Sequence, residues 1–281
     1  MPMPRLTLFR LLLCASMPGA GVVTASETGE IAIWHQVATY LSQEAMVELS
    51  DLPEPRDATG QRERDFCAAV VLLDQQPITE GRLDEVERQL NALLAVSRGD
   101  DIGRASRFLL GRIAQIFRGE PDLKRATEFY RGLIAEAADD HWSDLARVKL
   151  AMLELYALPG PNPAVRIAAV EALIPGVTER VTLRDLHRLA ARGVMFYELD
   201  PARALEHLLA ADAIGGLRGT PAADQVVQIG NLAWELGRRD LADTYRERLR
   251  TDFPRDPRIY HFDRRAAGLP VPVRHKEEHG P

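Results

Sequence analysis

Beyond the first 25 residues, apolar side chains recur at steps of three and four along almost the whole chain. Leu83, Val86, Leu90 and Leu93 form one such stripe, and Ile102, Ala105, Leu109, Ile113 and Ile116 form the next. The rhythm continues at Leu123, Ala126, Tyr130, Leu133 and Ala137, then at Leu145, Val148, Met152 and Leu155. A helix turns once per 3.6 residues, so such stripes are the buried faces of amphipathic helices. No stretch shows the sustained alternation of a half-buried strand, and the expected class is all-α.

Punctuation between the stripes agrees. Asn162-Pro163, Asp200-Pro201 and Thr220-Pro221 each put a capping side chain before a proline at the first helical position, and Glu120-Pro121 is a weaker version. Proline loses nothing there, because the first helical amide has no partner within the helix. Gly99, Gly119, Gly160, Gly176, Gly215 and Gly237 fall where the rhythm stops, as helix-ending residues do. The pattern predicts helices near 29–49, 62–75, 80–97, 102–118, 121–138, 141–157, 163–174, 182–199, 201–213, 221–237 and 239–252. After the first, they form five pairs beginning near 62, 102, 141, 183 and 222. A period of about 40 residues with short connections is expected of stacked helical hairpins, each burying its apolar face on its neighbours. The first helix, carrying Trp34, is expected to brace the array.

The last hairpin resembles the tetratricopeptide repeat. Ile229-Gly230 stand on its first helix, Gly237 at its turn, Ala242 on its second helix and Pro254 at its exit, with twelve residues from Gly230 to Ala242 and from Ala242 to Pro254. The small residues permit close helix approach, Gly237 permits reversal, and Pro254 stops the second helix. Leu110-Gly111 with Ala126, Tyr130 and Leu133 is a looser match, and Ala204, Leu208 and Ala211 repeat the second-helix spacing with no first-helix glycine identified. The resemblance implies a right-handed solenoid of about five αα-hairpins over 62–254, with an N-terminal helix and linker over 26–61. It also implies that first-helix residues line a concave partner-binding face. Arg112 and Gln115 in one unit, and Asn231, Trp234 and Glu235 in the last, are the contacts expected on that basis.

Composition adds the compartment. Arg5 and Arg10 precede an apolar run from Leu11 to Val23, with no acidic residue before Glu27, and Val23-Thr24-Ala25 suits signal peptidase. Residues 1–25 therefore read as a cleaved signal peptide, and the mature chain as periplasmic or secreted. The run has 13 residues, interrupted by Pro18, Gly19 and Gly21, against the roughly 20 that span a bilayer. Cys14 follows Leu13 rather than a small residue, so it reads as part of the signal and not as a lipid anchor. Cys67, the only other cysteine, lies in the apolar stretch Phe66-Cys67-Ala68-Ala69-Val70 and reads as a buried thiol. Beyond Pro254 the chain is rich in Pro, Arg and His, so 255–281 is expected to form a C-terminal tail, mobile over 268–281.

Charge and chemistry narrow the function by exclusion. The signal holds two of the 35 basic and none of the 41 acidic residues, so residues 26–281 carry a net −8, which disfavours nucleic acid. The charge is uneven, near −11 over 26–237 and near +3 over 238–281. The seven His, at 35, 141, 187, 207, 261, 275 and 279, form no metal-binding spacing, and no phosphate loop or hydrolase motif is present. Asp139-Asp140-His141-Trp142 gathers carboxylates, an imidazole and an aromatic, but at a helix start the carboxylates read as caps. No cofactor and no catalytic residue is expected. The expected function is an exported adaptor for a protein or peptide partner, possessing no transmembrane segment after signal cleavage, with cell-envelope assembly as its context. The enzymatic alternative is a helical-toroid glycan-acting enzyme, which would line a groove with aromatics and paired carboxylates. The chain has 17 aromatics, and Phe66, Phe117 and Tyr130 take core positions.

Overall fold

A computed structural model of the chain describes residues 28–136, 140–160 and 162–270. The signal segment with Cys14, the capping candidate Asp139, and residues 271–281 with His275 and His279 lie outside the described residues. Within them the protein is all-helical, with thirteen α-helices and no strand. Helices α1 (Thr28–Ala38), α2 (Ser42–Asp51), α3 (Ala58–Asp74), α4 (Glu80–Val96), α5 (Asp101–Arg112) and α6 (Leu123–Glu136) are followed by α7 (His141–Tyr156) and α8 (Pro163–Glu171). Then come α9 (Arg180–Phe196), α10 (Pro201–Ile214), α11 (Gly219–Glu235), α12 (Arg239–Asp252) and α13 (Ile259–Ala266). The helices pack in sequential pairs, consistent with a helical-hairpin array, and α3 also touches α5. Helices α3, α5, α7, α9 and α11 start at intervals of 43, 40, 39 and 39 residues. Contacts divide the chain into two units, one ending at Leu153 and one beginning at Glu154.

Helix starts follow local chemistry. Asp57, Asp100, Asn162 and Asp200 each accept a hydrogen bond from a free amide of the first turn, at 2.8 to 2.9 Å. Two starts differ from expectation. Asp122, whose short carboxylate reaches the Arg125 amide at 2.9 Å, takes the place of Glu120-Pro121. Helix α11 opens at Gly219, φ 55°, one residue before Thr220, and has no side-chain cap.

Helix ends show one recurrent device. After α11, Gly237 adopts φ 72° and the Arg238 amide bonds the Ala233 carbonyl at 2.8 Å, a six-to-one closure. The same closure joins Leu199 to Val194 after α9 and Leu41 to Gln36 after α1, but the left-handed positions there are Glu198, φ 52°, and Tyr40, φ 61°. Tyr40 breaks the expected 29–49 helix into α1 and α2. The apolar rhythm runs through this reversal, so the period alone conceals it. Side chains in this region cost ~1–2 kcal/mol relative to glycine. Glu198→Gly is therefore expected to stabilise the protein by about 1 kcal/mol, a rise of about 2–4 °C in thermal midpoint by calorimetry.

Small residues mark the tightest packing. A Cβ on Gly111 of α5 would lie 2.7 Å from the ring of Tyr130 on α6, a fully buried residue. A Cβ on Gly230 of α11 would lie 2.7 Å from Phe262 of α13 but 3.5 Å from Tyr245 of α12. Its close approach is thus mainly to the following helix rather than to its own partner. Gly193 on α9 is the first-helix glycine that spacing alone did not identify; a Cβ on it would lie 2.7 Å from both Leu155 and Ile167. Within 255–281, read as tail, α13 buries Phe262 at 5% exposure. Trp34 is 9% exposed and meets Phe66 with ring centroids 6.3 Å apart, and Cys67 is 6% exposed.

Polar stitches join helices in the second unit. The carboxylate of Asp212 on α10 accepts from Gln225 on α11 at 3.2 Å and from Tyr245 and Arg248 on α12 at 2.7 and 2.5 Å. Although burial opposes it, the Arg248 guanidinium and the Tyr245 hydroxyl hold the Asp212 carboxyl below its ordinary range.

Candidate functional site

The expected contact residues separate into two groups. Arg112 ends α5 in the first unit, and its guanidinium donates to the Gln115 amide oxygen at 3.0 Å. The buried Tyr130 hydroxyl donates to the same oxygen at 2.8 Å. Gln115 is 9% exposed, on the π-turn Ile113–Phe117 that extends α5. Its amide oxygen completes an internal network because Tyr130, pressed against Gly111, has to bury its hydroxyl with an acceptor.

Asn231 and Glu235, in the second unit, come to one open cleft of about 430 Å³. On α11 they share the lining with Gln228 and Leu232, completing an i, i+3, i+4, i+7 stripe along a single helix face. The opposite wall is the end of α9, with Met195, Glu198 and Leu199, and Pro201 at the start of α10. Helices α9 and α11 are the first members of consecutive pairs, so the cleft lies on the first-helix side of the second unit. Gln228, Glu198 and Glu235 are exposed, and Leu232, at 7% exposure, belongs to the floor. The Asn231 oxygen accepts from Arg265 of α13 at 2.6 Å, which leaves its NH2 group as a donor. Trp234 lies outside this lining. Its ring is half-buried beneath the Arg239 guanidinium, 3.6 Å from the centroid.

Sequence reasoning missed Gln228, Leu232, Met195, Glu198, Leu199 and Pro201. Helical spacing from Asn231 and Glu235 was the signal for the first two. The α9 end had none, because glycine is the residue expected to mark that reversal and Glu198 takes its place.

Elsewhere, Asp139-Asp140-His141-Trp142 is structural in its described part. Asp140 accepts from the Ser143 amide at 2.7 Å and pairs with Arg104, while the Trp142 indole donates to Asp101 at 2.8 Å from a fully buried position. No group of three or more His, Cys, Asp or Glu among the described residues is arranged to hold a metal ion, and no described helix is long and apolar enough to cross a membrane.

A second polar cluster links α8, α9 and α10. Glu171 pairs with Arg203 and lies 2.9 Å from His207 Nε2, while His207 Nδ1 lies 3.0 Å from His187 Nδ1. An ionised Glu171 only accepts, so a neutral His207 donates from Nε2 and offers its Nδ1 lone pair to the His187 Nδ1–H. Charging both rings would set two N–H groups against each other. Burial, with the neighbouring His207, holds the His187 pKa below its ordinary 6.5. The unfolded chain then binds the proton more readily, so stability falls as pH drops below about 6.5 and levels off below the folded-state pKa. The Arg203 bond holds Glu171 below its ordinary 4.5, which adds a further loss under more acidic conditions. His187→Gln is expected to flatten the pH 7-to-5 part of the stability profile, as measured by urea unfolding.

No family model matches the chain, and no curated protein matches it.

Proposed function

We propose that this chain is an exported helical-hairpin scaffold of tetratricopeptide type, a right-handed solenoid that presents its first-helix face to a protein or peptide partner. One observation carries the reading: polar side chains of α11 and the end of α9, the exposed Gln228, Glu235 and Glu198 and the half-buried Asn231, line one open cleft. A cleft of about 430 Å³ with an apolar floor and an amide-bearing wall suits an extended segment, whose backbone needs donors and acceptors and whose side chains need cover. Export rests on the signal-like residues 1–25, and cell-envelope assembly is the proposed context.

Site-specific photocrosslinking tests the placement. A photoreactive residue at Gln228, introduced in cells that export the chain, should yield a discrete adduct, while one at Glu247 on α12 should not. Indistinguishable adduct patterns from the two positions would remove the cleft from the account.

A further inference from the structure

We infer that the first unit holds a binding site for an acyl chain with an anionic head, in the pocket of about 540 Å³ that α1, α2 and α3 form with the linker between α2 and α3. It uses none of the residues of the proposed partner cleft, so the two readings stand or fall separately. The apolar wall is taken from the core. Ile33 and Trp34 on α1, Leu49 on α2, and Phe66 and Cys67 on α3 line the pocket, and none of them is more than 9% exposed. The Trp34 and Phe66 rings are inclined at 43° with centroids 6.3 Å apart, two sides of a slot instead of a face-to-face stack. Protein interiors leave few voids larger than a water molecule. A space of this size against five buried apolar side chains forfeits contacts that an apolar guest restores, and it falls within the ~300–1,000 Å³ of small-ligand sites.

The pocket is held open by its own hydrogen bonds. Arg64 on α3 donates to the Leu49, Leu52 and Pro53 carbonyls at 3.1, 3.3 and 3.3 Å, which fixes the end of α2 and the linker above the apolar wall. The rim then sets the sign of the head group. Helix α3, 17 residues long, begins at the pocket, where Asp57, Thr59 and Gly60 belong to the lining and bring the positive end of its dipole. The acidic side chains there are already committed. Asp57 caps α3 by accepting from the Gly60 amide at 2.8 Å, Glu54 reaches Arg64 at 3.9 Å with its side chain 93% exposed, and Glu63 is engaged as well. Arg56 and the Thr59 hydroxyl stand exposed on the same rim. A carboxylate or phosphate at the mouth meets a helix start, a guanidinium and a hydroxyl, while its chain lies between Trp34 and Phe66.

The test uses the full chain and dansyl-labelled undecanoic acid, whose emission rises in apolar surroundings. Saturable binding of one equivalent is expected. Dodecanoate should displace the probe about tenfold more effectively than dodecanol, and dodecyltrimethylammonium should be weakest. Arg56→Gln should bring dodecanoate close to dodecanol and leave dodecanol unchanged. Leu49→Trp fills the pocket from within and should abolish binding of the probe. Thr59→Trp puts bulk across the mouth from an exposed position that the core does not depend on, and should weaken every ligand about tenfold or more while the circular dichroism stays that of the parent. Absence of saturable binding overturns the inference. So does equal displacement by dodecanoate and dodecyltrimethylammonium, or unchanged probe affinity in a folded Thr59→Trp variant.

Discussion

Gly103→Ala is expected to destabilise the first unit by about 3 kcal/mol, the upper end of what overpacking costs, although alanine ordinarily improves a helix by about 1 kcal/mol over glycine. Gly103 lies in the first turn of α5, where its amide bonds the Asp100 carboxylate at 2.8 Å. The chain reverses so sharply between α4 and α5 that a Cβ there would lie 2.2 Å from the Ser97 carbonyl oxygen and 2.9 Å from the Arg98 Cα. Both are backbone atoms, so no side-chain rotation relieves the clash and the whole connection has to move. Chemical denaturation of the variant should show the loss as a lower midpoint. An unchanged or raised midpoint would mean that α4 and α5 do not meet as described.

Trp142→Ala is expected to cost about 4 kcal/mol, within the 3–5 kcal/mol typical of deleting a buried large aromatic. Trp142 is fully buried near the start of α7, its ring centroid lies 5.7 Å from that of Phe108 on α5, and its indole donates to Asp101. The substitution removes both the packing and the tie between successive first helices. Trp142→Phe keeps most of the packing but also loses the indole donor, so it should cost about 1–3 kcal/mol from the unpaired Asp101 acceptor, and the further loss in Trp142→Ala reports the ring packing. Thermal unfolding followed by near-ultraviolet circular dichroism distinguishes the two variants. If Trp142→Ala retained the parent midpoint, the residue would belong to an exposed chemical cluster instead of the core.

These two sites show where the sequence was legible and where it was not. Helix type and approximate position were readable because an amphipathic stripe and a cap such as Asn162-Pro163 or Asp200-Pro201 act within a few residues. The reversals at Tyr40 and Glu198 were hidden, since left-handed backbone on a residue other than glycine has no local signature. Helix α13 was hidden for a different reason. It is short, flanked by prolines and rich in arginine, and only Phe262 on it is buried, against a glycine more than thirty residues earlier. Gly193 was overlooked because its contacts, Leu155 and Ile167, belong to earlier helices, and a period within one hairpin does not report them.

The candidate site was legible by half. Asn231 and Glu235 followed from the position of α11 as a first helix, and their stripe extends to Gln228 and Leu232 by helical spacing alone. The opposing wall could be found only once α9 and α11 were placed side by side. Gln115 illustrates the converse: a polar residue at an apparently outward position turns inward when a buried tyrosine hydroxyl requires an acceptor.

The central claim is that partner engagement occurs on the α9–α11 face, and hydrogen–deuterium exchange of the full chain with and without the partner recovered by the Gln228 crosslink, added unmodified, tests it most directly. Slowed exchange confined to residues 195–201 and 228–238 is the predicted result. Protection that appears instead over α1 to α3, or no change in α11 while the partner is demonstrably bound, would contradict it.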